Sequence, residues 1–271
     1  MKLALNTLMW HSEPFDNVIA YARDLGVLNL DLGAIPGVGH LQLGPDENVE
    51  ALCAALRETL PPDLRIVALT ADHAGLSARD EADRAAGVAY NVAAMRAAAL
   101  LGAPVVGTSL GNAGPGRDWR EAAGCATESL ASIMAASPVG VRLAVELHVD
   151  DICNSLEKVE TILDAVGHDR LGVAFDTSLL FHNRIDIDTA FERLGDRVFH
   201  VHLRGATQDT YFAIPGRDEV DFARFLRRLE AQGYQGALSL ELYEVEPRYG
   251  MTTLDAVRES LTYLRRTTPL P

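Results

Sequence analysis

The sequence lacks any run of about 18 apolar residues, the length a membrane-spanning helix needs. Its first stretch, Met1 to Trp10, is interrupted by Asn6 and followed by His11, Ser12 and Glu13. That is too short and too polar for a secretory signal. Cysteine is scarce. The three present, Cys53, Cys125 and Cys153, are far apart and form no Cys-x-x-Cys pair. This excludes a disulfide framework and a cysteine-ligated structural zinc, and predicts reduced thiols in a cytoplasmic protein. Basic charge is also in deficit: the formal net charge is -14. An acidic chain repels phosphate backbones and anionic lipid, so neither nucleic acid nor a membrane is expected as a partner. No Pro/Ser-rich linker or low-complexity tract divides the chain, and 271 residues suit one α/β barrel, so residues 1–271 are expected to form a single domain.

What is present is an alternation. Short apolar or β-branched runs span Leu3 to Trp10, Val27 to Leu32, Arg65 to Thr70 and Pro104 to Leu110. Four more span Arg142 to His148, Gly172 to Thr177, Val198 to Leu203 and Ala237 to Leu242. Between them lie segments of helical period: Asn48 to Leu60, Asp80 to Leu101, Asp118 to Ala136 and Asn154 to Val166. Later ones are Ile187 to Leu194, Val220 to Gln232 and Thr253 to Arg265. Strand then helix, repeated eightfold, predicts a parallel sheet closed into a (β/α)8 TIM barrel. Gly26, Gly102, Gly167, Gly195 and Gly233 stand where left-handed C-caps are expected, and Asp118 and Asn154 where N-caps are. An open doubly wound sheet fits less well, because the first turn, Trp10 to Phe15, contains no glycine.

In a barrel the chemistry sits at the C-terminal ends of the strands. The last four strands each end in a metal-capable residue: Glu146, Asp176, His202 and Glu241. Each interrupts an apolar run, and a lone buried carboxylate is costly unless it is paired or bound to a cation. Neighbouring strands bring the ends together, so three carboxylates converge and one divalent cation would relieve their repulsion. Strand alternation then turns Ala144 and His148 inward with Glu146, His200 and Arg204 with His202, and Ser239 and Tyr243 with Glu241. Three oxygen donors and one imidazole suit Mn²⁺ best, with Mg²⁺ or Co²⁺ as substitutes. Such an ion would take adjacent carbonyl and hydroxyl oxygens of a small sugar, with Glu146 and Glu241 as the proton-transferring pair.

These residues resemble those of the xylose isomerase-like barrel superfamily, in its ketose 3-epimerase, hydroxypyruvate isomerase and inosose-processing branches. The resemblance lies in Ala-Val-Glu146-Leu-His148, Phe175-Asp176-Thr177, His200-Val-His202-Leu-Arg204, the Gly216 to Phe222 stretch, and Gly233-Tyr-Gln-Gly through Glu241. It implies a metal on Glu146, Asp176, His202 and Glu241, acid–base roles for the two glutamates, and a homo-oligomer. Two departures touch substrate recognition rather than the metal. Many members carry Asp-x-x-His on the sixth strand, where this chain has Leu179, and many carry Lys-Asp where it has Arg204-Gly205.

Further candidates for substrate contact are His148, Arg204, Arg217, His73, His182 and Trp10. His148 reads equally as an orienting partner of Glu146, and Arg204 as a partner of a buried carboxylate or as a clamp on substrate. Asp72 and His73 follow the third strand and Asp31 ends the second, each placed either to line the mouth opposite the metal or to serve the structure; His200, one layer deeper, reads as a hydrogen-bonded core histidine. The function expected is a metal-dependent sugar isomerase or epimerase acting beside a carbonyl. The alternative is a dehydratase on a keto-inositol or related keto-sugar, which begins with the same proton abstraction. A non-catalytic sugar-binding barrel would show no metal dependence. A DNA-repair endonuclease on this scaffold would need a histidine-rich metal cluster and a basic face, both missing here.

Overall fold

Each apolar run alternates its side chains between two buried layers, so a sheet of such strands is stable only when covered on one face and closed on the other. The computed structural model, which describes residues 1–44, 47–73 and 75–267, shows that closure. In chain order the first half comprises β1 (Lys2–Asn6), α1 (Phe15–Asp24), β2 (Asn29–Gly33), α2 (Val49–Thr59), β3 (Arg65–Thr70), α3 (Glu81–Leu101), β4 (Val105–Thr108) and α4 (Trp119–Ala136). The second half comprises β5 (Arg142–Glu146), α5 (Leu156–Val166), β6 (Leu171–Asp176), α6 (Thr177–His182), α7 (Ile187–Leu194) and β7 (Val198–Leu203). It continues with β8 (Gly205–Thr207), β9 (Thr210–Ala213), α8 (Phe222–Ala231), β10 (Ala237–Leu240), α9 (Val245–Tyr249) and α10 (Thr253–Thr267). Eight parallel strands close in the order β1-β10-β7-β6-β5-β4-β3-β2, and β8 and β9 form a separate antiparallel hairpin beyond β7. Among the described residues no helix is long and apolar enough to cross a membrane.

The two sides of the strands divide as alternation requires. Leu143, Val145 and Leu147 join the large core beneath the helices, whereas Ala144 and Ala174 pack with Ala68, Val105 and Phe199 inside the barrel. Those small residues leave room above them for the polar groups at the mouth. The helices start where side chains accept free backbone N–H groups: Asn48, Asp80, Asp118, Ser155, Asp186 and Asp221 each cap one. Such caps contribute about 1 kcal/mol each.

Several expectations change in detail. The first strand stops at Asn6 rather than Trp10, because the Asn6 side chain accepts the Leu8 amide and turns Thr7–Trp10 into a 3-10 helix. Ser155, not Asn154, caps α5. Gly26, Gly102, Gly167 and Gly233 have positive φ, but Gly195 is right-handed (φ -53°) and leads into a further short helical turn. The helical segments α1, α6 and α9 and the β8–β9 hairpin were not anticipated. α6 is six residues long and begins directly at a strand end, so it is too short to show a period.

Two irregularities interrupt the parallel ladder. Val67 is passed over between Leu30↔Ile66 and Asp31↔Ala68, and Phe199 between Val173↔Val198 and Ala174↔His200. The second lies against Gly172, where an added Cβ would fall 2.3 Å from the Arg197 carbonyl oxygen, a backbone atom that cannot swing aside. Gly172→Ala is therefore expected to lower unfolding stability by about 1–3 kcal/mol, as overpacking does. Gly124→Ala, in open space on α4, should instead raise it by about 0.4–1 kcal/mol. Denaturant midpoints at constant m-value check both, and equal effects would contradict the close approach.

Candidate active site and metal centre

Strand ends β5, β6, β7 and the residue after β10 deliver Glu146, Asp176, His202 and Glu241 to one point. One potential ligand atom from each lies within 4.8 Å of all the others. His202 Nδ1 is 2.7 Å from Glu146 Oε1 and 3.6 Å from Glu241 Oε2. Asp176 is at once a ligand candidate and a helix cap: its Oδ1 accepts the amides of Ser178 and Leu179 and the Ser178 hydroxyl. Its Oδ2 accepts from Arg204 Nη2 at 2.5 Å.

Arg204 is fully buried, so its charge must be met inside the protein. Nε donates to Ser178 Oγ, Nη2 to Asp176, and Nη1 lies 3.8 Å from Glu241 Oε2. Its guanidinium also faces the rings of Tyr211, Phe212 and Tyr243 at 5.9, 5.7 and 5.5 Å. The structure thus resolves the two readings of Arg204 toward carboxylate pairing, with one edge still on the cavity.

Below this layer lies a second one. Asp31, wholly buried at the end of β2, accepts from His200 Nε2 at 2.9 Å and His202 Nε2 at 3.3 Å. Asn6 Nδ2 contacts Asp31 Oδ2 at 3.3 Å, Thr70 Oγ1 at 3.0 Å and Glu241 Oε1 at 3.0 Å, tying the two layers together. Tyr243 donates its hydroxyl to Glu241 Oε1 at 2.8 Å. His200 is the hydrogen-bonded core histidine that the strand alternation implied.

Burial acts against every charge here, and the neighbours decide the outcome. For Glu146, burial alone would raise the pKa, but the hydrogen bond and charge of His202, with Arg204, bring it down to about 2. For Glu241, burial prevails over His202 and Arg204, and its carboxyl is pushed up, helped by the charges of Glu146 and Asp176. Burial would discharge His202, yet Glu241, Asp31 and Glu146 hold it well above the ordinary imidazole value. Asp31 overcomes its burial through His200 and His202 and stays ionised far below the usual carboxylate range. Three buried carboxyl groups and the partly buried Glu146 thus face two basic side chains, and acid exceeds base. A set of three carboxylates and one imidazole with close-set donor atoms fits one divalent cation. Asp176 Oδ2 retains a lone pair beside its bond from Arg204.

The site opens into a cavity of about 310 Å³. Glu146, His202, Arg204 and Glu241 stand on one side. Asp72, Thr108, Ser109 and His148 continue the polar wall, and Phe212, Tyr243 and Ile35 supply apolar surface. Burial raises the Asp72 pKa, and Ser109 Oγ donates to its Oδ1. Of the expected substrate contacts, His148 and Arg204 line this cavity and four others do not. Trp10 is buried against Tyr21, with ring centroids 5.4 Å apart. His73 packs on Tyr90, and its Nδ1 accepts the Gly75 amide. His182 rests on the Tyr211 ring and lines a different, outer depression. Arg217 pairs with Glu259 at the surface, with 45% of its side chain exposed. Asn6 went unassigned by the sequence reading, and Asp31 and Tyr243 carried only their strand parity or position as signals.

The model of the xylose isomerase-like TIM barrel family matches residues 19–267. The chain belongs to that family. It is 26% identical over 132 residues to an inosose isomerase of Bacillus velezensis, covering 45% of this chain and 47% of that protein. It is 30% identical over 128 residues to a 3-dehydroshikimate dehydratase of Pseudomonas putida, covering 43% and 20%. The chain thus spans about half the length of the inosose isomerase and a fifth of the dehydratase. In structure it resembles the IolI protein crystallised with a binding zinc atom, with a TM-score of 0.77 at 19% identity over 98% of this chain and 96% of that one. It also resembles a D-psicose 3-epimerase crystallised with D-fructose, with a TM-score of 0.77 at 17% identity over 98% and 99%. At such identities the structural likeness shows the fold.

Protons and a cation compete for this cluster. Neighbouring carboxylates push the His202 imidazole up and burial pushes the Glu241 carboxyl up, so a divalent ion taken up by this cluster would expel protons. Calorimetric titration with Mn²⁺ in buffers of different ionisation enthalpy should show proton release, and apparent affinity should increase as pH rises. Free ion at about 100 times its Kd should add about 2.7 kcal/mol to unfolding stability. Binding without proton release would contradict the assigned ligands.

Proposed function

We propose that the chain is a divalent-metal-dependent isomerase or epimerase that moves a proton beside the carbonyl of a small keto-sugar or sugar-like substrate. The observation that carries this reading is the placement of two glutamates, Glu146 and Glu241, beside His202 in one cavity. Glu146 is held ionised and Glu241 is pushed toward its neutral form. Two carboxyl groups on different strands, both within reach of one imidazole in one cavity, are placed to take and to return a proton.

Glu146 takes the proton from the carbon beside the carbonyl. Glu241 returns a proton, and its oxygens are held in place by Tyr243 and Asn6. Glu146, Asp176, His202 and Glu241 would hold a divalent ion, which would supply polarisation of the carbonyl and stabilisation of the charge growing on its oxygen. Mn²⁺ fits the oxygen-rich donor set best, with Mg²⁺ and Co²⁺ as substitutes. Asp72, Ser109 and His148 face the rest of the substrate with hydrogen-bonding groups suited to hydroxyls, and Phe212 gives an apolar wall. The inosose isomerase among its relatives supports a keto-polyol as substrate class. The free thiols of Cys53, Cys125 and Cys153 accord with a reducing, cytoplasmic setting.

A panel of ketoses and keto-inositols, assayed with added Mn²⁺, tests the proposal. Glu146→Gln and Glu241→Gln should each lower kcat by about 10²–10⁴-fold, and chelation should abolish turnover. Products isomeric with the substrate are expected. Release of water in the product analysis would instead identify a dehydratase and overturn the assignment.

A further inference from the structure

The imidazole of His202 has two nitrogens, and the chain treats them differently. Nδ1 points to the mouth, 2.7 Å from Glu146, while Nε2 points down the barrel to Asp31 Oδ2 at 3.3 Å. Asp31 comes from the far side of the cylinder, with β1 and β10 standing between β2 and β7. It is fully buried, and its Oδ2 also accepts from His200 Nε2 at 2.9 Å and Asn6 Nδ2 at 3.3 Å, while Oδ1 accepts from Thr70 Oγ1 at 3.0 Å. His200 Nδ1 has no partner among the described residues, so its hydrogen belongs on the Nε2 that faces Asp31.

Both irregularities of the barrel ladder fall beside this group. One is next to Asp31 and the other is immediately before His200. Bulges re-aim side chains next to functional sites. A structural carboxylate would gain equally from any two donors. This one is placed where it fixes which ring nitrogen of a ligand carries the hydrogen.

We infer that Asp31 is a positioning residue for the metal centre: by accepting the Nε2 hydrogen of His202 it leaves Nδ1 bare and directed at the cation, with His200 and Asn6 holding the carboxylate in place. A carboxylate behind an imidazole ligand also raises the ligand's basicity, and losing such a partner costs roughly 10- to 100-fold in metal affinity. The inference rests on the metal reading of Glu146, Asp176, His202 and Glu241, and concerns which atom of His202 binds.

The test is long-range ¹H–¹⁵N NMR of the zinc-loaded full chain, together with Mn²⁺ titration of the wild type and Asp31→Asn. His202 should show a protonated Nε2 and a metal-shifted Nδ1. Asp31→Asn keeps the shape and removes the charge, so it should weaken Mn²⁺ binding roughly 10- to 100-fold while circular dichroism stays unchanged. A metal-bound Nε2, or a folded Asp31→Asn protein with unaltered affinity, overturns the positioning role and leaves the metal reading standing. If Asp31→Asn does not fold, the wild-type nitrogen assignment alone decides. Failure of the wild type to bind either ion defeats both the metal reading and this inference.

Discussion

His202 lies between carboxylates above and below, with Glu146 and Glu241 at the mouth and Asp31 in the barrel interior, and all but the partly buried Glu146 are shielded from water. In that low-dielectric setting no carboxylate is stable alone, and no cation is either. Each charge at the end of β5, β6, β7 or β10 is therefore held by another from a nearby strand end. This mutual dependence explains why Arg204 turns inward instead of reaching for solvent. Asp176 and Glu241 require it, and its three aromatic neighbours enclose it.

The same constraint shapes what the cavity offers a substrate. The guanidinium of Arg204 is spent largely on the protein's own carboxylates, and Arg217 is spent on Glu259 at the surface. The remaining lining is hydroxyl, carboxyl and imidazole from Thr108, Ser109, Asp72 and His148, with apolar surface from Phe212 and Ile35. Such a wall suits a molecule rich in hydroxyls. It also places the polar groups at the ends of strands β3 to β5 and the proposed proton-transferring pair at the ends of β5 and β10, so a substrate would be held from several independent elements.

The alternation of strand and helix was readable because both periods are local. Two residues per repeat on strands such as Arg142–Glu146, and the capping residue Asp118 of α4, can be recognised without knowing any partner. The convergence of Glu146, Asp176, His202 and Glu241 was readable for a related reason. A polar residue ending an aliphatic strand is conspicuous, and barrel closure sends every such end to the same rim. Elements shorter than two helical turns, α6 and α9, left no period to detect. The 3-10 turn after β1 arises from one side-chain bond of Asn6, which no pattern announces.

The sequence by itself determined the strand parity, the eightfold repeat and the identities of Glu146, Asp176, His202 and Glu241, since these depend on neighbours a few positions away. Tertiary structure alone decided that Asp31 meets His202 across 171 positions of chain, and that Arg204 pairs with Asp176. It also turned Trp10, His73, His182 and Arg217 away from the cavity. Those outcomes depend on how the closed sheet is staggered and on which loop folds over which rim. Such geometry is set by the packing of the whole cylinder and is encoded in no single stretch of it.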